Sequence, residues 1–184
     1  MDPQKHLNDF SQSGEQAILV SVFGLLPPND ERWCVEFGAW DGKHLSNTYH
    51  LVSQLNWNAV LIEQDPTKFE LLKATYAQNT RAALLNKTVN FEGEDTLDNL
   101  LSTIPIPLNF DLLSIDIDGN DWHVWDSVKR YSPKVVVIEF NPTIPSDVEF
   151  VQPKNLAINQ GTSLLYFVNN AKDKCYEIIN TTSC

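Results

Sequence analysis

The chain has 184 residues, 42% of them hydrophobic, and a formal net charge of −11. That length fits one domain, 1–184, able to bury roughly two-thirds of its unfolded surface. The acidic balance speaks against nucleic acid or an anionic membrane as partner, since phosphate binding needs a basic footprint, and no window is apolar enough for a membrane span. In chain order, Met1-Asp2-Pro3-Gln4-Lys5 does not open a signal peptide. Ser13-Gly14-Glu15-Gln16 reads as a capping box for a helix over 17–26, with Ile18, Val22 and Leu25 as its buried stripe, stopped by Pro27-Pro28-Asn29-Asp30. A core strand over 33–37 follows, then a helix over 44–55, a strand over 59–63 and a helix over 67–78 with Phe69, Leu72 and Tyr76 on one face. A weaker strand is predicted over 84–91, a short helix over 96–102, a strand over 110–115, a helix over 122–131 and a β-branched strand over 135–140. Residues 146–159 read equally as a substrate loop or as a crossover to a helix near Ser163. Residues 172–180 read as a sixth strand. Cys34, Cys175 and Cys184 are odd in number and lack metal spacing, which suits a reducing cytoplasm, and the sequons at Asn86 and Asn180 read as chance matches.

Alternating strands and helices predict an α/β fold, a mostly parallel sheet with helices on both faces and a ligand crevice beyond the strands' carboxyl ends. Those ends carry Glu36 and Gly38, Glu63, Asp116, and Glu139 with Asn141. The first is the most informative. Cys34-Val35-Glu36-Phe37 runs into Gly38-Ala39-Trp40-Asp41-Gly42, and the next strand ends in Glu63. A strand, a glycine turn, a helix and a strand tipped by an acid is a nucleotide-type layout. A dinucleotide fingerprint needs a middle glycine so that pyrophosphate meets bare amides. Here that place holds Trp40, and Glu36 and Asp41 bring negative charge that repels pyrophosphate. The same acids suit S-adenosylmethionine, which carries a sulfonium and an ammonium and no phosphate. An NAD-dependent dehydrogenase is the weaker alternative.

The ordered blocks Phe10-Ser11-Gln12-Ser13-Gly14-Glu15-Gln16, Val35 to Gly42, Leu45-Ser46-Asn47-Thr48-Tyr49, Leu61-Ile62-Glu63, Thr96-Leu97-Asp98, Leu113 to Asp121 and Val137-Ile138-Glu139-Phe140-Asn141-Pro142 span nearly the whole chain. In these blocks the chain resembles the FkbM-type family of S-adenosylmethionine-dependent methyltransferases. The resemblance implies the Rossmann-like class I methyltransferase fold and methylation of hydroxyls on sugars, lipids or secondary metabolites. Class I enzymes usually end in an antiparallel hairpin whose final strand inserts beside the fifth. No such strand follows 172–180, so the expectation is a sheet closed differently, a homodimer whose second copy covers the gap, or a shortened form. A non-catalytic domain of the same fold is the competing class.

Donor-binding candidates are Glu36, Gly38, Ala39, Asp41, Gly42, Ser46, Asn47, Glu63 (for the ribose hydroxyls), Gln64, Glu94, Asp95 and Asp116. Ser46 and Asn47 would lie near the methionine end, and Glu94 or Asp95 near the adenine amine. Helix capping is the plainer role for both pairs. The Asp116-Ile117-Asp118-Gly119-Asn120-Asp121 run fails the calcium-loop pattern, which wants glycine sixth and glutamate twelfth. Metal-dependent O-methyltransferases place an acid after the fourth strand and an acid-Asn pair after the fifth, so Asp116, Glu139 and Asn141 are a set open to Mg²⁺, but Phe140 occupies the usual ligand position. Without metal, Asp116 or Glu139 is the candidate general base. Asn141-Pro142-Thr143-Ile144 is similar to an amino-methyltransferase motif but follows the fifth strand instead of the fourth. Asn141, Pro142, Asn159 and Gln160 are the acceptor-binding candidates. His123 reads as a helix-surface or packed histidine instead of a base.

Overall fold

The structure, a computed structural model, describes residues 9–27 and 31–182. The readings on residues 1–5, on Pro28, Asn29 and Asp30, and on Cys184 lie outside them. Five strands alternate with helices: α1 Glu15–Leu25, β1 Trp33–Phe37, α2 Tyr49–Ser53, β2 Asn58–Glu63, α3 Pro66–Thr75, β3 Ala82–Asn86, α4 Leu97–Leu101, β4 Leu112–Ile115, α5 Asp121–Ser127, β5 Val135–Ile138 and α6 Leu164–Asn170, with a 3₁₀ turn at Ala171–Lys174. The strands form one sheet in the order β3-β2-β1-β4-β5, and every pairing is parallel. This is a Rossmann-like winding, and its order reverses between β1 and β4, where such sheets bind ligands.

The period-2 alternation of the strands splits the core in two. Val35, Phe37, Val60, Ile62, Leu113 and Ile115 face α4, α5 and α6 through Leu97, Leu101, Trp122, Trp125 and Phe167. Cys34, Ala59, Leu61 and Leu112 face the other way, onto Leu19 and Phe23 of α1, Leu51 and Val52 of α2 and Leu72 of α3. Successive strand residues thus bury on opposite faces, which is why β1 and β2 read as continuous apolar runs. Helix α3 starts where Asp65 accepts from the N–H groups of Thr67 and Lys68 ahead of Pro66, a capped start with proline in the first turn. No described helix is long and apolar enough to cross a membrane. Cys34 and Cys175 are free thiols, the first buried and the second exposed.

Several expected elements change. The capping box does not form: Gly14 takes the N-cap position at φ 90° with no side-chain bond, and the Glu15 carboxylate reaches back to the Ser13 N–H. The buried residues of α1 are Gln16, Leu19 and Phe23, one position on from the expected stripe, and Leu25 is 87% exposed. The helix expected over 44–55 shrinks to Tyr49–Ser53, because Leu45 sits at φ 55° and residues 46–48 bend inward to Glu36. The strand expected over 84–91 shifts to Ala82–Asn86, leaving Asn90 in an isolated bridge to Thr96. The sixth strand over 172–180 does not form. Ala171–Lys174 prolongs α6 as a 3₁₀ turn and Cys175 adopts a left-handed conformation, so the tail leaves without joining the sheet.

Candidate functional site

The carboxyl ends of β1, β2, β4 and β5 meet in one row. Gly38, at φ +77°, is its tightest point: a Cβ there would stand 2.0 Å from the Asp116 carbonyl oxygen. Only glycine lets the turn after β1 press against the end of β4. Gly42, at φ +72°, is likewise closed in by Leu72 and Tyr76, and the Tyr76 hydroxyl donates to the Gly42 carbonyl at 3.0 Å. Between them Trp40 holds φ 49°, its indole half-exposed under the Lys68 ammonium, which lies 4.4 Å from the ring centre. A tryptophan in the left-handed region is strained backbone held by its surroundings, here by the Trp40 N–H donating to Glu63 at 2.8 Å. Asp41 accepts from the N–H groups of Lys43 and His44, and the Ala39 N–H reaches the Ile62 carbonyl.

Two of the expected ligand acids are engaged within the fold. Glu36 is buried and accepts from Ser46 Oγ at 2.7 Å, Thr48 Oγ1 at 2.7 Å and the Asn47 N–H at 2.9 Å. Burial raises its pKa against the pull of those donors. Its carboxylate pins the 46–48 bend in place. Asn47 then donates to Ser114 Oγ at 3.0 Å, while its Oδ1 is buried with no partner among the described residues. Glu63 spans two backbone donors, the N–H groups of Trp40 and Asp65, with one oxygen for each, so every oxygen keeps a lone pair for a further donor. Gln64 bonds Thr88 Oγ1 through its amide oxygen and Asn86 Nδ2 through its carbonyl. Asp95 pairs with Lys87 at 3.3 Å and Glu94 is exposed; no hydrogen bond connects either with the glycine turn.

Asp116 and Glu139, expected as neighbours, are brought together. With Asp118 they place carboxylate oxygens within 4.8 Å of one another. Partial desolvation and then the surrounding carboxylates push Asp116 up to about 6 and Glu139 up to about 7. Asp121 is not free to join: its two oxygens accept the N–H groups of Ile117 and Gly119 and close the turn. Asn141, the third member of the expected Mg²⁺ set, is engaged by its neighbours. Its Oδ1 accepts from Thr143 and its Nδ2 donates to the Gln160 carbonyl. That bond does join two acceptor candidates, Asn141 and Gln160, beside Pro142. Asn159, with its amide oriented to donate, reaches the Asp118 carbonyl at 3.3 Å.

Two residues of consequence were not expected. Asp118 stands at φ 56°, and only the Asp-Gly pair it forms with Gly119 signals a turn able to aim it back at Asp116. Gln152 is 1% exposed and organises the loop that follows. Its Oε1 accepts from the N–H groups of Gln160 and Gly161, its Nε2 donates to the Ile158 carbonyl, and its own carbonyl meets His123 Nε2 at 2.7 Å. Nothing in a polar, proline-containing stretch marks one glutamine as its buried centre. Of the two readings for His123, helix-surface or packed, the structure takes the second.

No protein-family model matches the chain, and no curated protein sequence matches it. Among solved structures, PKMT2 from Rickettsia typhi in complex with AdoHcy aligns at 17% identity and a TM-score of 0.39, over 64% of this chain and 21% of its own. The CurJ carbon methyltransferase aligns at 11% identity and 0.45, over 65% of this chain and 32% of its own. TrmK of M. capricolum in complex with S-adenosyl-homocysteine aligns at 13% identity and 0.39, over 66% and 46%. The chain therefore covers less than half the length of each of these three structures.

Proposed function

We propose that the chain is an S-adenosylmethionine-dependent methyltransferase of the FkbM type, acting on a hydroxyl of a sugar, lipid or small metabolite. The observation that carries the reading is the row of groups at the sheet's switch point: a glycine turn with no room for a Cβ at Gly38, flanked by Glu63 on one side and by Asp116, Asp118 and Glu139 on the other. Nearly every side chain there is a hydrogen-bond acceptor. Such a surface repels phosphate and favours ammonium, sulfonium and hydroxyl groups. In this reading the lone pairs left on Glu63 take the ribose hydroxyls and Asn47 lies at the methionine end. Glu36 acts at one remove by holding Asn47.

The donor supplies an electrophilic methyl on a sulfonium that leaves as a neutral thioether. The protein's part is to align the acceptor oxygen behind that methyl and to take its proton. A carboxylate raised to about 7, as Glu139 is, suits the second task, because its basicity is matched to neutral solution. Burial first, and then the neighbouring Asp116 charge, keep Glu139 basic. No step needs a metal ion.

Calorimetry with S-adenosylhomocysteine and, separately, NAD decides the donor. Binding of the first with no heat from the second is the expected result; the reverse would return the chain to the dehydrogenases. Binding of neither would favour a non-catalytic domain of the same fold. Glu63→Ala is expected to weaken S-adenosylhomocysteine by roughly 1–3 kcal/mol by leaving a hydroxyl pair unmet. Glu139→Gln is expected to lower turnover while leaving that affinity unchanged.

A further inference from the structure

Strand β3 runs Ala82-Ala83-Leu84-Leu85 and ends in Asn86, which lies directly across the parallel ladder from Glu63. β3 is an edge strand and Asn86 is exposed, so water is at hand for its amide. The side chain is nonetheless committed to the next strand. Its Nδ2 donates to the Glu63 carbonyl at 2.7 Å and to the Gln64 carbonyl at 3.2 Å, two amide hydrogens for two acceptors.

Those carbonyls belong to the two peptide planes that flank Gln64. A peptide unit is planar and trans, so its C=O and N–H point in opposite directions. The Gln64 carbonyl and the Asp65 N–H are therefore the two ends of one plane. Asn86 holds the first end, and the Glu63 carboxylate holds the second, with Oε1 accepting from Asp65 at 2.7 Å. Turning that plane breaks both bonds. The Trp40 N–H holds Oε2 at 2.8 Å, so each oxygen of this buried acid is fixed by one backbone amide. Two hydroxyls on adjacent carbons both bond to one carboxylate only where its lone pairs point at them. A carboxylate left free to turn has to be ordered on binding, which subtracts from affinity.

We infer that Asn86 is a positioning residue for the donor's ribose. Through the Gln64–Asp65 peptide it sets the plane in which Glu63 meets the two hydroxyls, and with it the preference for a ribose over a deoxyribose. The inference rests on the methyl-donor reading and adds to it a residue that acts only through Glu63. Supporting hydrogen bonds of this kind decide whether a ligating group stands in its productive geometry. Asn86→Ala removes both bonds and leaves the two exposed carbonyls to water, so the fold loses little.

The test is calorimetry with S-adenosylhomocysteine and its 2′-deoxy form. The unaltered protein is expected to prefer the ribose form about tenfold, the scale of one hydrogen bond to a charged group. In Asn86→Ala the ribose form should lose most of that factor while the 2′-deoxy form keeps its affinity, so the preference nearly vanishes. The preference is a ratio taken on one preparation and does not depend on the fraction folded. In a Glu63→Ala background, Asn86→Ala should change neither affinity, because both substitutions act on the same hydroxyls. A residue that merely braced the fold would weaken both forms alike. Equal loss for the two forms, an unchanged preference in Asn86→Ala, or a further loss in the Glu63→Ala background overturns the inference and leaves the donor reading standing. No heat from S-adenosylhomocysteine on the unaltered protein overturns the donor reading and this inference with it.

Discussion

Gly38 carries the largest burden of any single residue. A methyl group there meets the Asp116 carbonyl at 2.0 Å and must also adopt φ +77°. Gly38→Ala is therefore expected to lower stability by about 3 kcal/mol, the upper end of the cost of a strained left-handed residue, read from urea unfolding, and to abolish S-adenosylhomocysteine binding in the fraction that folds. The acid group makes a second prediction. Glu139 and Asp116 titrate higher in the folded chain than free carboxylates do, so the folded chain keeps protons that the unfolded chain has released. Their stabilising contribution is complete below the unfolded values of about 4 and is lost as pH rises through about 6 and then 7. Urea midpoints should fall between pH 4 and pH 7.5, and Glu139→Gln should flatten that fall; an unchanged slope would remove Glu139 from the titration. At this scale the strand-end acids were legible because each closes an apolar run. Asp118 was not, since its approach to Asp116 depends on a backbone conformation that no periodicity records.

Among the elements, the segment from Gln152 to Gly161 follows the crossover reading and leads into α6, capped at Ser163. A mobile substrate loop would leave its backbone groups to water, whereas this one hangs on a buried glutamine that satisfies three of them. A Cβ on Gly119 would meet Ile158, Asn159 and Gln152 within 3.1 Å, so the loop also clamps the turn that carries Asp118. Gln152→Ala removes the acceptor of two part-buried N–H groups and one donor to the Ile158 carbonyl, and is expected to cost about 1–3 kcal/mol. Removing residues 148–152 should therefore unfold the region outright. Gln152→Glu keeps the acceptor oxygens and loses one donor, and should fall between wild type and alanine in thermal unfolding. Helix α1 shows a gentler failure of sequence reasoning. Its apolar residues form a wide stripe, and periodicity alone does not say which edge faces the sheet. Tertiary packing chose Leu19 and Phe23 and left Ile18 and Val22 half-buried.

For the whole molecule, Asp111 ties together the amino ends of the strands. It is 1% exposed, accepts the Trp33 N–H at 2.9 Å, and pairs with Lys134 at 2.8 Å and Arg32 at 3.6 Å. Arg32 in turn stacks on Phe23 and Trp57 and donates to the Phe23 carbonyl, joining α1 to the sheet. Asp111→Ala strands two cations and an amide, and a loss of about 3 kcal/mol in urea unfolding is expected. The alternation of apolar runs with helical periods was enough to specify the parallel α/β sheet and its two cores, because burial on both faces demands continuous apolar strands and amphipathic helices whatever the details. The strand ends bearing Gly38, Glu63, Asp116 and Glu139 followed from the same pattern, since the carboxyl end of a strand is fixed once the strand is. Three things were decided only in three dimensions. They are the inward commitment of Glu36 to residues 46–48, the gathering of Asp118 with Asp116 and Glu139, and the failure of the tail to pair with β5. Each depends on which groups meet across the sheet, and hydrogen bonds and charge contacts between residues distant in the chain leave no periodic trace along it.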